Sequence, residues 1–127
     1  MGSKRQKQVA ELIKRNFSQV LQHEGSYIYG PEALVTVTIV NVSPDLSLAK
    51  IYLSVYNTDN KQAVILELEG SHHRLRQALA HRIRKLVRRI PEIAFFLDDT
   101  LDEMYRLKKL FDRLHDENQM GEGTEED

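Results

Sequence analysis

The chain has no cysteine, which excludes a disulfide framework, a thiolate metal site and a thiol nucleophile. No apolar run approaches the roughly 20 residues of a membrane-spanning helix. The first residues, MGSKRQKQVAEL, lack the apolar core of a secretory signal. A soluble cytoplasmic protein with no membrane association is therefore expected. No glycine-rich phosphate loop of the Walker or dinucleotide type is present, and no serine sits in an elbow motif beside a base and an orienting partner. Asp98 and Asp99 are adjacent carboxylates at the end of a predicted strand, but with Thr100 they read as a helix cap rather than an acid/base pair. No enzymatic activity is expected. His72, His73 and His81 lie in one stretch, yet His73 and His81 are about two helical turns apart, too far to share one metal ion. They read instead as an extension of a polar, phosphate-facing surface. No metal and no cofactor are expected.

The most informative absence is local. Ser71–Ile90, SHHRLRQALAHRIRKLVRRI, holds no acidic residue and seven basic ones: Arg74, Arg76, Arg82, Arg84, Lys85, Arg88 and Arg89. Residues 1–70 carry seven basic and seven acidic groups, and residues 91–127 four basic and twelve acidic, so that a net charge of -1 conceals a sharp segregation. A pI near 6.5 says little about nucleic-acid binding, because the distribution of charge over the surface is what a polyanion meets. Each cation can neutralise a phosphate, and arginine adds stacking and bidentate contacts. Leu75, Leu79, Ile83, Leu86, Val87 and Ile90 recur every three or four positions, which predicts one helix over 71–90 with a single buried face. A bland alternative has this basic face solvated and paired with the acidic C-terminal region of the same chain.

With 127 residues, 41% of them hydrophobic, the chain is expected to form one domain with a self-sufficient core. Val9, Leu12, Ile13, Phe17, Val20 and Leu21 predict a first helix over 4–22, with Met1–Ser3 disordered. His23–Glu32 contains Gly25, Gly30 and Pro31 and reads as a loop; its Tyr27, Ile28 and Tyr29 are expected to pack on the core. Leu34–Val42 reads as a strand with Val35, Val37 and Ile39 on one face. Ser43-Pro44-Asp45 is a turn. Ala49–Tyr56 is a second strand, paired antiparallel, with Ala49, Ile51, Leu53 and Val55 inward. A short helix to Glu69, capped by Thr58 or Asp59, comes next. Gly70 interrupts the helical pattern, and Pro91 terminates the basic helix. Glu92–Leu97 is apolar on both faces and is expected to be a central or doubly covered strand. Leu101–His115 reads as a last helix and 117–127 as an acidic disordered tail. The order predicts a small two-layer α+β domain.

Two segments now carry a resemblance: VTVTIVNVSPDLSLAKIYLSVYN (Val35–Asn57) and LAHRIRKLVRRIPEIAFFLDDTLD (Leu79–Asp102). Together with the element order they resemble ribosome-binding factor A over roughly residues 5–105. The most specific parts are Val42–Val55 and Arg89–Asp102. The resemblance implies a type II KH-like fold, α-β-β-α-kink-α-β, over residues 4–115, with an additional C-terminal helix and an acidic tail at 116–127. It implies a non-enzymatic assembly factor of the immature small ribosomal subunit. Such a factor would bind 16S rRNA as a monomer and support maturation of the rRNA 5′ region, notably in cold adaptation. A general KH-like module acting on other RNAs is the alternative. The family's Ala-x-Gly kink falls on Ser71, His72 and His73, where neither the alanine nor the glycine stands. Gly70 is expected to supply the bend, and the aim of the basic helix is left open. The GxxG grip of RNA-binding KH domains is absent. The expected RNA-binding residues are Lys4, Arg5 and Lys7 of the first helix and Arg74, Arg76, Arg82, Arg84, Lys85, Arg88 and Arg89 of the basic stretch.

Overall fold

The computed structural model describes residues 2–100 and 106–115. The element order is α1 (Lys4–Tyr29), β1 (Leu34–Val42), β2 (Leu48–Tyr56), α2 (Lys61–Gly70), α3 (His72–Ile83) and β3 (Glu92–Leu97). Residues 106–115 form a further helix, α4. The sheet order is β1-β2-β3. β1 pairs antiparallel with β2, and β3 runs parallel to β2 from Leu48↔Glu92 to Leu53↔Leu97. This is the α+β arrangement that the element order predicted, in the KH-like form that the resemblance implied.

α1 begins at Lys4, as expected, but runs on to Tyr29, seven residues past the expected end. Ser3 is an ordered cap: its hydroxyl accepts from Gln6 N at 3.1 Å, and Gln6 Oε1 accepts from Ser3 N at 2.7 Å, a reciprocal capping box. Gln6 Nε2 also donates to the carbonyl of Val42 at 2.8 Å, which ties the helix start to the end of β1. At the other end, residues 23–29 are helical rather than a loop. Gly25 is buried within the helix, and a Cβ there would overlap the Tyr29 ring one turn on. The glycine serves close packing, not chain reversal. Tyr29 and Ile28 are half-buried against the core, and burial raises the Tyr29 phenol above its ordinary pKa. Tyr27 is 78% exposed. The reversal falls at Gly30, whose φ of 90° suits glycine.

One face of the sheet is covered by α1, α2 and α3. Ile13, Phe17, Ile51, Leu53, Leu68, Leu75, Leu79 and Ile83 are fully buried there, and the rings of Phe17 and Phe95 lie 5.6 Å apart. The register of β1 differs from simple alternation. A bulge between Val37 and Ile39 leaves Thr38 unpaired, which reverses the inward set beyond it. Val40 and Val42 are buried and Ile39 is 48% exposed. The Thr38 hydroxyl donates to Asp98 at the end of β3. Thr38 first, then Thr100, lowers the Asp98 carboxyl below its ordinary value. Asp98 thus latches the bulge to the far strand, and its N–H bonds the Leu53 carbonyl at 2.7 Å.

Among the described residues β3 is an edge strand with one covered face, not a central one. Its second apolar set lies on the open face, where Phe96 stacks on Tyr52 at 5.3 Å. Cross-strand aromatic pairing explains that composition without a second covering layer. α2 is capped by Asn60, which accepts from Ala63 N at 3.1 Å, rather than by Thr58 or Asp59. α4 adds nothing to the core: its described residues are exposed throughout, Leu107, Phe111 and Leu114 included. The expected start of that helix at 101–105 and the acidic tail at 116–127 lie outside the described residues. Among the described residues no helix is long and apolar enough to cross a membrane.

Candidate nucleic-acid interface

The basic stretch is not one helix. α3 stops at Ile83, eight residues before Pro91, and 84–90 form turns. Leu86 N and Val87 N both bond the Ile83 carbonyl, at 2.8 and 3.2 Å. The last helical turn thereby tightens and ends. The reason is tertiary. β3 must start beside Leu48, whereas seven more helical residues would carry the chain about 10 Å further along the axis of α3. Val87 and Ile90 still pack on the core, but Leu86 is 59% exposed.

The bend between α2 and α3 falls at Ser71 (φ -107°, ψ 18°) rather than at Gly70, which is the last helical residue of α2. No left-handed backbone is needed at Gly70, and a Cβ there would meet nothing. His72 fixes the start of α3. Its Nε2 donates to the Ile93 carbonyl at 2.8 Å, and its ring edge faces Phe95. His72 therefore faces the protein rather than a phosphate, whereas His73 and His81 are exposed. Among the described residues no three His, Asp or Glu side chains are grouped to hold a metal ion.

The arginines of α3 are engaged within the protein. Arg74 pairs with Glu24 and Arg82 donates to Gln19, so both bridge to α1. Arg76 Nε and Nη2 donate to the carbonyls of Pro91 and Ile90 at 3.2 and 2.9 Å, and Nη2 lies 3.4 Å from Glu92. This guanidinium satisfies the end of the turn segment and holds it against the helix. The carbonyls it reaches could not be anticipated from sequence, because they become accessible only once α3 ends early.

Arg84, Lys85, Arg88 and Arg89 are exposed, and their side chains bond to none of the described residues. Arg88 and Arg89 meet Arg5 of α1 around a cavity of about 400 Å³, lined also by Val9, Asp45, Leu46 and Val87. Three expected RNA-binding residues from distant parts of the chain thus converge. Lys7 lines a neighbouring cavity with Gln6 and Asn41, and Lys4 is exposed in the first turn of α1. Arg74 and Arg82 lie elsewhere. Their α1 partners Glu24 and Gln19 are 14–19 residues beyond Arg5, about 20–30 Å along the helix.

Asp45 was missed as a site residue. The β1–β2 turn that carries it is tightly bonded. Asp45 Oδ1 accepts from Ser43 Oγ, Ser47 N and Ser47 Oγ at 2.8, 3.1 and 2.7 Å. Ser43 Oγ in turn accepts from Ser47 N and Leu48 N. The Ser47 hydroxyl is the largest cause, followed by the Ser43 hydroxyl, of an Asp45 pKa lowered to about 2. Leu46 sits at φ 61°, a left-handed backbone uncommon for leucine. The available signal was the SPDLS string itself, a serine-flanked aspartate of the Asx type.

With this geometry in view, the comparisons with known proteins are specific. The family model for ribosome-binding factor A matches residues 5–111. The chain belongs to the ribosome-binding factor A family. The family's protein from Cytophaga hutchinsonii is 42% identical over 80% of this chain and 76% of its own length. That from Rippkaea orientalis is 36% identical over 99% of this chain and 98% of its own length. Among solved structures, ribosome-binding factor A from Thermus thermophilus superposes with a TM-score of 0.61 at 25% identity, covering 72% of this chain and 94% of that one. A Thermus thermophilus homology model fitted into the cryo-EM map of a 30S–factor complex gives 0.56 at 28% identity, covering 69% and 89%.

Proposed function

We propose that this chain is a non-catalytic assembly factor that binds the immature small (30S) ribosomal subunit through its 16S rRNA. In this reading it acts as a cytoplasmic monomer without a cofactor, assists maturation of the 16S 5′ end and supports growth after a shift to low temperature. The observation that carries the reading is the convergence of Arg5, Arg88 and Arg89, with Arg84 and Lys85 beside them on the same segment. This is a cationic surface with no acidic partner among the described residues. Such a surface is stabilised by a polyanion and by little else. Family membership supports ribosomal RNA as that polyanion, since a homology model of the Thermus relative has been fitted into the map of a 30S complex.

The test is co-sedimentation of the full chain with purified small subunits at rising salt, with unrelated single-stranded RNA as competitor. Binding at low salt that weakens steeply with salt and resists the competitor is expected. Folded protein that fails to co-sediment even at low salt refutes the reading. Equal displacement by unrelated RNA would favour a general KH-like RNA-binding module.

A further inference from the structure

We propose that the open cavity lined by Arg5, Asp45, Leu46, Val87, Arg88 and Arg89 is a single-nucleotide pocket that takes an unstacked guanine nucleotide. In this assignment the guanidinium groups hold its phosphate and Asp45 accepts from its base edge. The inference rests on the RNA reading above and gives it a specificity element.

A cavity of about 400 Å³ is of the size that encloses one small ligand. Its walls divide by chemistry. Val9, Leu46 and Val87 offer apolar surface to the faces of a base, while the guanidinium groups come from two separate elements. Arg88 and Arg89 are adjacent in sequence, and Arg5 joins them from α1. Asp45 does not neutralise these cations. No nitrogen of the three lies within ion-pair distance of it among the described residues. Its bonds go instead to Ser43 and Ser47, all on Oδ1, and no described residue donates to Oδ2. The cavity thus keeps an anion site and an acceptor site apart, which suits a ligand that is anionic at one end and a hydrogen-bond donor at the other.

An ionised carboxylate only accepts hydrogen bonds. The Watson–Crick edge of guanine presents two adjacent donors, N1–H and the 2-amino group. Adenine and cytosine place an acceptor beside their single amino group, and uracil flanks its one N–H with two carbonyls. Asp45 therefore selects guanine and disfavours uracil most. Unpaired bases are read on this edge in single-stranded RNA. The Leu46 backbone supports the assignment. A leucine held at φ 61° by its N–H to the Ser43 carbonyl at 2.9 Å is a strained residue at the wall of a cavity, and such strain gathers at binding sites.

The test measures binding of the full chain to labelled RNA hexamers by fluorescence anisotropy. An all-uridine hexamer is compared with one carrying a central guanosine, and with one carrying inosine there. The guanosine hexamer is expected to bind about 5-fold more tightly than the uridine hexamer, as one exposed charge-assisted contact allows. Inosine, which lacks the 2-amino group, should lose about half of that advantage on a logarithmic scale. In Asp45→Asn the guanosine-to-uridine ratio should fall below about 2, with the uridine hexamer bound more tightly because the repulsive carboxylate is gone. Asparagine keeps an oxygen for Ser43 and Ser47, a melting curve verifies folding, and the inosine arm needs no variant. Equal affinity for the guanosine and uridine hexamers overturns the pocket, as does a preference that survives Asp45→Asn. Binding to small subunits without detectable hexamer binding also overturns it and leaves the RNA reading intact. Failure to bind either hexamers or subunits overturns both.

Discussion

In the helical half of the basic stretch, Arg74, Arg76 and Arg82 each donate to another part of the protein. In the turn half, the side chains of Arg84, Lys85, Arg88 and Arg89 donate to none of the described residues. The two halves adjoin in sequence and both carry basic residues but no acidic one, yet they serve different ends. The helix uses its guanidinium groups to hold α3 to α1 and to close the turn before β3. The turn segment presents its cations to solvent, where Arg88 and Arg89 join Arg5. The presence of arginines alone therefore does not identify an interface. What separates the halves is whether a cation's hydrogen bonds are already made.

The largest expected effect comes from reversing the turn half. Replacing Arg84, Lys85, Arg88 and Arg89 together by glutamate should weaken small-subunit binding by about 100-fold or more, since four phosphate contacts become repulsions. The melting temperature should hardly move, because no intramolecular bond is lost.

Next in size is the salt dependence. The log–log slope of affinity against salt should become shallower by about 0.7–0.9 for each of Arg88→Gln and Arg89→Gln. Arg74→Gln should leave the slope unchanged. An equal change from Arg74→Gln would erase the distinction between the halves.

A smaller effect, on stability instead of binding, is expected at Arg76. Arg76→Ala removes a guanidinium shared by two carbonyls and should cost about 1–2 kcal/mol, a fall of roughly 4–8 °C in melting temperature per kcal/mol. Arg88→Ala, measured alongside by thermal denaturation, should cost nothing detectable.

The smallest effect serves as a control outside both halves. The Asp98 carboxyl lies below its ordinary value because Thr38 and Thr100 donate to it. A depressed carboxyl contributes stability that is present above its unfolded pKa, near 4, and is lost as pH falls through the lower folded value. Asp98→Asn should flatten the acid side of the stability curve below about pH 4. The turn-half reversal should leave this Asp98-dependent loss in place.

Much of the fold was legible in residues with a strong local signal. The α1 stripe, the inward set of β2 and the break before α3 follow from periodicity and from Gly70-Ser71. The resemblance placed them in a KH-like order. What escaped was set by side-chain packing and pairing that the local pattern does not show. Gly25 reads as a breaker until Tyr29 is seen to pack over it. Ile39 reads as inward until Thr38 bulges to reach Asp98, 60 residues away. Phe96 reads as covered until it is paired with Tyr52. The apolar pattern of 71–90 continues through Leu86, but the starting point of β3 overrides it and stops the helix at Ile83.

The same limit applies to the candidate interface. The cationic residues were identifiable by type, but not which of them the fold would engage. Arg76 is engaged by two backbone carbonyls. Arg5 gained neighbours from the opposite end of the domain. Asp45 went unnoticed because its turn reads as structural until the cavity beside it is seen.

The most direct test of the division between the halves sets two proteins against wild type. One carries Arg84, Lys85, Arg88 and Arg89 as glutamine. The other carries Arg74 and Arg82 as glutamine, which removes their bridges to α1. Affinity for purified small subunits is measured at one fixed low salt concentration, with folding verified by melting curves. The division predicts that the first protein loses about 10-fold or more in affinity at unchanged stability, while the second keeps affinity within about 3-fold and melts at a lower temperature. Equal losses of affinity in the two proteins, or a larger loss in the second, would contradict it.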